Sequence, residues 1–186
     1  MKEHTLNERI QLWIEGNLLG RLAPTNRPGW LLTAIFRIPI GLYRAGLGAW
    51  VGPHFLMIRT TGRKSGRQRY TVLEWSACPH TGLPLIMSGW GDRSDWVRNL
   101  RADPRCEVWI GKASSPAQAT PLAAEEVAEL ITAYLANAPS MQHTFERFSG
   151  IKLDGSSEAL LATAPYFPCF RLRPLGSQAP DWRRTW

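Results

Sequence analysis

The pattern of apolar and polar residues changes near residue 53 of this 186-residue chain. Before that point apolar residues recur at helical spacing, and after it short runs rich in β-forming residues alternate with turns and amphipathic helices. The runs that predict strands are FLMIRTT at 55–61, RYTVLEWS at 69–76, LPLIMSG at 83–89, residues 106–110, residues 117–120 and FPCFRL at 167–172. The helices predicted after residue 53 cover 95–102, 122–136, 141–148 and 157–162.

The tight turns between consecutive predicted strands favour an antiparallel sheet. With five or six strands and interleaved helices, the chain is predicted to have an α+β fold, a small antiparallel barrel with peripheral helices. Pro168 should place the last strand at a sheet edge, because proline cannot donate a ladder hydrogen bond. The predicted organisation is an N-terminal helical extension over 1–52, a barrel domain over 53–176 and a tail over 177–186.

The N-terminal extension contains two apolar segments. A capping-box pattern, TLNE, begins an amphipathic helix predicted over residues 5–20. Residues 30–51 are mostly apolar, but Arg37 and Arg44 interrupt them, and no apolar run approaches the ~20 residues that span a bilayer. Arginines near aromatic residues suit contact with a membrane surface. Packing against the chain's own domain or against a dimer partner is the alternative.

Composition indicates a globular protein. Hydrophobic residues make up 44% and charged residues 20% of the chain, unlike a disordered protein. Cys78, Cys106 and Cys169 are too widely spaced for a redox or zinc motif, so we expect reduced thiols in a cytoplasmic protein. The four histidines are also scattered, and no metal site is predicted. The N-terminus lacks the apolar core of a signal peptide, which favours the cytoplasm, with the inner face of the membrane as the place of any peripheral contact.

The net charge of +7 is concentrated in one short segment. Residues 51–69 contain five basic and no acidic side chains, within the sequence RTTGRKSGRQR. Gly62 and Gly66 permit a turn that exposes backbone N–H groups, and Arg67 and Arg69 should share one face of the next strand. Such a segment can bind a phosphate or a carboxylate. Nucleic acid is the rival ligand, but no aromatic residues are interleaved with the basic ones and no nucleic-acid-binding motif is present.

A second segment, SGWGDRSDWVRNLRADP at residues 88–104, joins a predicted strand to a predicted helix. Ser88–Gly91 provides flexible backbone at the end of the strand, where a planar ligand could approach. Ser94 should cap the helix, whose free N–H groups favour an anion or a polar ring edge. An ordinary capped turn with Trp96 in the core would explain the same residues without a ligand.

Taken in order, these two segments resemble the deazaflavin-dependent nitroreductase family. Members of that family use the deazaflavin coenzyme F420 and have a split β-barrel related to flavin-mononucleotide-binding proteins. The resemblance covers roughly residues 40–175 and includes the lead-in LYRAGLGAW at 42–50. The matching motif residues are Thr60–Gly66, Ser88–Gly91, Trp96, Asn99–Leu100 and Pro104.

The resemblance implies that the basic turn binds the anionic part of the coenzyme, which carries a phosphodiester and a polyglutamyl tail. It also implies that Ser88–Gly91 lines the deazaflavin ring and that Trp96 and Asn99 support that wall. The implied cofactor-binding residues are Arg63, Lys64, Ser65, Gly66, Arg69, Ser88, Gly89, Trp90, Gly91, Trp96 and Asn99.

The implied function is that of an oxidoreductase that transfers a hydride between coenzyme F420 and an electron-poor acceptor, such as a quinone or a nitroaromatic. The alternatives are an FMN-binding reductase and a non-enzymatic basic module that binds anionic lipid or nucleic acid. Peripheral membrane contact through residues 30–51 and a homodimer are also considered. Trp90, Val97 and Arg98 depart from the family pattern, so the acceptor is not carried over. The proton donor stays open among Tyr43, Tyr70, Tyr134 and Tyr166.

Overall fold

A computed structural model describes residues 38–78 and 80–176 of the chain. The helix predicted for residues 5–20 and the tail at 177–186 lie outside the described residues. Within the described part, the predicted strands and helices are present, and their bounds differ from the predictions by a few residues. The largest difference is at the fifth strand, which begins four residues earlier than the pattern predicted, at Ala113.

In the described part of the chain, six strands form one closed barrel in the order β1-β2-β3-β6-β5-β4. Every neighbouring pair is antiparallel. The prediction of an α+β fold with an antiparallel barrel of about six strands is therefore confirmed. The strands are β1 Phe55–Thr61, β2 Gln68–Ala77, β3 Pro84–Met87, β4 Arg105–Ile110, β5 Ala113–Pro121 and β6 Cys169–Pro174.

Helices lie around the barrel and between its strands. The α-helices of the described residues are α1 Ile38–Arg44, α2 Asp95–Ala102, α3 Ala124–Asn137, α4 Gln142–Ser149 and α5 Ser157–Thr163. Single turns of 3₁₀-helix occur at Gly48–Val51, Gly91–Arg93, Pro139–Met141 and Ala164–Tyr166. None of the described helices is long and apolar enough to cross a membrane.

Two hydrophobic clusters hold these elements together. In the first, alternate residues of β1, Leu56 and Ile58, are completely buried, as expected when alternate side chains share one face of a strand. Helix α2 adds Val97 and Leu100 to the same cluster, so its apolar side is fixed against the barrel. The second cluster joins α3 and α4 to the chain around the start of β6, with Ile131, Phe145, Phe167 and Cys169 among its members.

The prediction that Pro168 marks a sheet edge is wrong. Strand β6 pairs with β3 on one side and β5 on the other, so it lies inside a closed barrel. Pro168 precedes the first strand residue, Cys169, and its missing N–H costs no ladder hydrogen bond. Its carbonyl accepts a hydrogen bond from the Ser88 N–H at 3.0 Å, which ties the start of β6 to the end of β3.

Residues 38–51 pack on the barrel, which supports the packing alternative for this part of the N-terminal extension. Tyr43 is 3% exposed, and its hydroxyl donates to the Phe55 carbonyl at 2.7 Å. Burial raises the pKa of Tyr43 to about 12. A Cβ on Gly48 would lie 2.4 Å from the Gly111 carbonyl oxygen, so only glycine allows this approach. The side chain of Trp50, in contrast, is 83% exposed.

Candidate functional site

The turn between β1 and β2 presents the basic residues that the sequence singled out. The Gly62 N–H donates to the Arg67 carbonyl at 2.8 Å, and the Gly66 N–H donates to the Gly62 carbonyl at 2.8 Å. Gly66 has φ +64°, a left-handed conformation that glycine adopts without strain. The turn is therefore closed by its own backbone, and Arg63 and Lys64 project from a defined loop.

A buried amide of α2 fixes this turn to the barrel. Asn99 is 3% exposed, and its Oδ1 accepts from both the backbone N–H and Nη1 of Arg63, each at 3.2 Å. Its Nδ2 donates to Oγ1 of the buried Thr60 at 3.4 Å. Asn99 thus holds both the backbone and the guanidinium of Arg63, because its amide reaches the turn from the inner side.

The turn and α2 enclose a polar pocket of about 530 Å³. It contains four basic side chains and, among the described residues that line it, one carboxylate, so the cations dominate its charge. Arg98 is held in place at the edge of the pocket because its Nε donates to the Asp92 carbonyl at 2.5 Å. The lining residues are Gly62, Arg63, Lys64, Ser65, Arg69, Tyr70, Thr71, Asp95, Trp96, Arg98 and Asn99.

Arg67 does not share the position of Arg69. Strand β2 begins at Gln68, so Arg67 still belongs to the turn, where its carbonyl closes the loop. Arg69 lines the polar pocket, and Arg67 is not among the residues around it. That both arginines lie on one face at the mouth of the strand stays a prediction, because the period of two applies only after the turn has ended.

The segment after β3 is fixed by hydrogen bonds of its own. The Ser88 hydroxyl is buried, lies 2.8 Å from the Ser94 hydroxyl and donates to the Gly91 carbonyl at 3.0 Å. Ser94 occupies the N-cap position of α2 but makes no side-chain cap bond, since its hydroxyl pairs with Ser88 instead. Gly91 has φ +56°, and a Cβ there would lie 2.9 Å from the Tyr166 carbonyl oxygen.

The predicted site residues therefore divide into two groups. The polar pocket brings together Arg63, Lys64, Ser65, Arg69, Trp96 and Asn99, with Gly66 in the turn beside them. Ser88, Gly89, Trp90 and Gly91 are not among the residues that line it. Trp90 carries a buried indole N–H without a hydrogen-bond partner among the described residues. Sequence reasoning missed Thr71 and Asp95, noted Tyr70 only as a candidate proton donor, and noted Arg98 only as a departure from the family pattern.

A separate apolar pocket of about 230 Å³ lies farther along β2. Gly89 lines this pocket, as do aromatic and sulfur-containing side chains from strands and from α3 and α4. The sequence signal for it was present, because Met141, Phe145 and Phe148 recur at helical spacing, but that spacing equally predicts a core helix. The lining residues are Glu74, Trp75, Ser76, Leu85, Met87, Gly89, Tyr134, Met141, Thr144, Phe145, Phe148 and Phe167.

The model of the F420H2-dependent quinone reductase family matches residues 38–151, more than half of the chain. The chain belongs to this family. It is therefore an oxidoreductase, and its cofactor is coenzyme F420. The alternative of a non-enzymatic basic module is set aside by the same match. No curated protein matches the chain.

Solved structures that resemble the chain are distant. The F420-H2 dependent reductase FDR-A is 22% identical, with 64% of this chain and 94% of that chain covered and a TM-score of 0.44. A protein of unknown function from Agrobacterium tumefaciens is 19% identical, and the alignment covers 75% of this chain and 56% of that chain with a TM-score of 0.48. An FMN-binding protein from Nostoc punctiforme, related to pyridoxamine 5'-phosphate oxidase, is 14% identical, with coverages of 75% and 80% and a TM-score of 0.40.

The residues of the polar pocket fit an anionic cofactor. Arg63, Lys64, Arg69 and Arg98 supply cations around a cavity that is open to charged ligands. Arginine binds phosphate and carboxylate groups through paired N–H donors, and lysine acts as a point charge. The buried Asn99 holds Arg63 in position before any ligand arrives, so little ordering is needed on binding.

Proposed function

We propose that the protein reduces a quinone or a nitroaromatic with a hydride from reduced coenzyme F420, and that the polar pocket holds the anionic part of the coenzyme. The observation that carries this proposal is the concentration of Arg63, Lys64, Arg69 and Arg98 around one cavity. The family match supplies the coenzyme and the reaction class. The acceptor and the roles of individual residues are the parts that the proposal adds.

The apolar pocket is the proposed place for the acceptor. Thr71 of the polar pocket and Glu74 of the apolar pocket are three residues apart on β2, a separation of about 10 Å along a strand. Trp75, Phe145 and Phe148 provide aromatic surface for a planar, electron-poor ring. A ligand with a charged end and a ring could therefore reach both pockets along the same strand.

When bound, the reduced coenzyme supplies a hydride, which carries two electrons. A quinone that takes up this hydride and one proton becomes a hydroquinone. The chain's own contribution is binding and orientation: cations hold the charged end, and aromatic side chains exclude water from the acceptor. We assign no proton donor to the reaction. The Tyr43 hydroxyl already donates its hydrogen bond to the Phe55 carbonyl.

The coenzyme-binding part is tested by titrating the purified protein with F420 and following tryptophan fluorescence. Arg63→Gln should raise the Kd about 10- to 100-fold, because a hydrogen bond to a charged group contributes about 1.5–3 kcal/mol. Arg105→Gln is the matched control, since Arg105 pairs with Asp103 on an exposed surface away from the pocket. Absence of quenching at micromolar F420, or equal loss of affinity in both variants, would refute the proposed site.

A parallel titration with FMN separates the two flavin-like cofactors. FMN carries one phosphate, so it offers fewer negative charges to the four cations of the polar pocket than F420 does. We expect F420 to bind more tightly, and its advantage should shrink as the salt concentration rises. Tighter binding of FMN would contradict the assignment of the pocket to the longer anion.

The acceptor part is tested with Phe148→Ala, which shortens one aromatic wall of the apolar pocket. The KM for a quinone such as menadione should rise severalfold while the Kd for F420 stays the same. Nitroaromatic acceptors measured in the same assay decide between the two acceptor classes. A changed F420 affinity with an unchanged quinone KM would show that the coenzyme, not the acceptor, occupies this pocket.

We further propose a peripheral membrane contact through the N-terminal extension. Ile38, Leu47 and Trp50 are exposed large apolar side chains, and Arg44 lies on the same segment. This combination suits the interface of a bilayer with anionic lipid. It would bring the protein to the place where a lipophilic quinone is dissolved.

A further inference from the structure

The polar pocket contains a carboxylate where an anionic ligand is proposed to bind. Asp95 is the one acidic residue among the described residues that line the pocket, beside four basic ones. Its Oδ1 lies 3.1 Å from Nη1 of Arg63, within ion-pair distance. The Asp95 side chain is 72% exposed, whereas that of Arg63 is 24% exposed. An exposed acid thus occupies part of the donor capacity of a cation whose side chain is less exposed than its own.

Asp95 is not needed to position Arg63. Asn99 Oδ1 accepts from the Arg63 backbone N–H and from the same Nη1 that faces Asp95. This buried amide remains when Asp95 is replaced, so the guanidinium keeps a fixed anchor. The contribution that disappears with Asp95 is its negative charge, and that charge opposes the binding of any anion to Arg63.

We propose that Asp95 is an internal competitor of the coenzyme: its carboxylate occupies Arg63 in the free protein and weakens the binding of the anionic cofactor. The inference rests on the proposed function of the polar pocket. For the estimate we take an anion hydrogen-bonded to another edge of the same guanidinium, at a separation of roughly 6 Å from Asp95. At an effective dielectric constant of about 40 to 60, repulsion between unit charges at that distance weakens binding about five- to tenfold.

Weakened binding has a use in this reaction. Each turnover oxidises the coenzyme, and nothing in the proposed reaction reduces it again on this protein. The oxidised form must therefore leave before a reduced molecule can enter. An ion pair that re-forms between Asp95 and Arg63 as the anion departs favours that exchange, because the cation then returns to a state with an oppositely charged partner.

The test compares the Kd for F420 in the wild type, Asp95→Asn and Asp92→Asn at about 20 mM and 500 mM salt. Asp95→Asn should bind F420 about five- to tenfold more tightly at low salt, with a slower dissociation rate in stopped-flow dilution. The difference should shrink at high salt, as screening reduces it. Asp92 is the matched control, since it pairs with Arg101 at 2.7 Å and does not line the polar pocket.

The outcomes separate the inference from the function on which it rests. If the wild type binds F420 and Asp95→Asn binds equally well or more weakly, Asp95 merely supports Arg63, and the inference is overturned. If Asp92→Asn gains affinity to the same extent, the effect is one of net charge and not of the ion pair, which also overturns it. If neither the wild type nor any variant binds F420, the proposed function itself fails. Structural damage alone would weaken binding, so a gain in affinity cannot arise from it.

Discussion

Replacing Asn99 with alanine should test whether one buried amide organises the polar pocket that we propose for the coenzyme. The change removes three hydrogen bonds: two accepted from Arg63, each at 3.2 Å, and one donated to Thr60 at 3.4 Å. A net contribution of about 0.5–1.5 kcal/mol for each of the two shorter bonds, and less for the longer one, gives a loss of about 1–4 kcal/mol. The partly buried Arg63 N–H is also left without its acceptor.

This loss is large enough to measure in two ways. For a chain of this size, about 1–4 kcal/mol corresponds to a decrease in Tm of roughly 2–16 °C. Because the Arg63 guanidinium loses its anchor, the Kd for F420 should also rise about tenfold. Thermal unfolding followed by circular dichroism gives the first quantity, and titration with F420 gives the second.

A second variant controls for any general effect that removing an amide side chain has on stability or binding. Asn137→Ala removes an exposed amide near the C-terminal end of α3, whose Nδ2 donates to the Ala133 carbonyl at 2.8 Å. We expect it to change stability by less than about 0.5 kcal/mol and to leave F420 binding unchanged. If Asn99→Ala is no more destabilising than Asn137→Ala, the amide does not anchor the turn, and the reasoning about the site is wrong.

Three further predictions concern the packing of the barrel and its surface. Gly91→Ala should lower the free energy of unfolding, measured with urea, by about 1–3 kcal/mol. The added Cβ would lie 2.9 Å from the Tyr166 carbonyl oxygen, and the backbone at this position has φ +56°. Gly41→Ala is the control, because a Cβ there has open space and should not destabilise the protein. Burial raises the pKa of Tyr43 from 10.0 to about 12, which favours the neutral phenol in the folded state. The corresponding stability, about 2–3 kcal/mol, should be present below pH 10 and lost as the pH rises towards 12, so Tyr43→Phe should show a shallower decline over that range than the wild type. Trp50→Ala should reduce co-sedimentation with anionic liposomes about tenfold, since this side chain is 83% exposed, and an equal reduction for Tyr166→Ala would argue against a specific membrane face.

Local features of the fold could be predicted because they depend on residues that are close in sequence. The pattern FLMIRTT predicted β1 with the bounds that the structure shows, and DWVRNLRA predicted α2 equally well. Gly62 and Gly66 predicted the turn that presents the basic side chains. Periodicity, turn chemistry and charge act over a few residues, so they can be read from the chain alone.

The site itself depends on contacts between distant segments. Asn99 and Arg63 are 36 positions apart, and only closure of the barrel brings α2 against the turn. The same closure put Asp95 into the polar pocket beside Arg63 and gave β6 two neighbours after Pro168. None of these contacts has a signal in the spacing of residues, since each depends on the relative placement of elements that are not adjacent in the chain.

The sequence by itself determined that this chain forms an antiparallel α+β barrel and concentrates positive charge in one turn, because strand periodicity and charge density are properties of short segments. The tertiary structure alone decided which residues share a pocket with that turn. Packing against the barrel core selects the face of α2 that meets the turn, and this selection brought together the four cations, the buried amide and the carboxylate of the polar pocket.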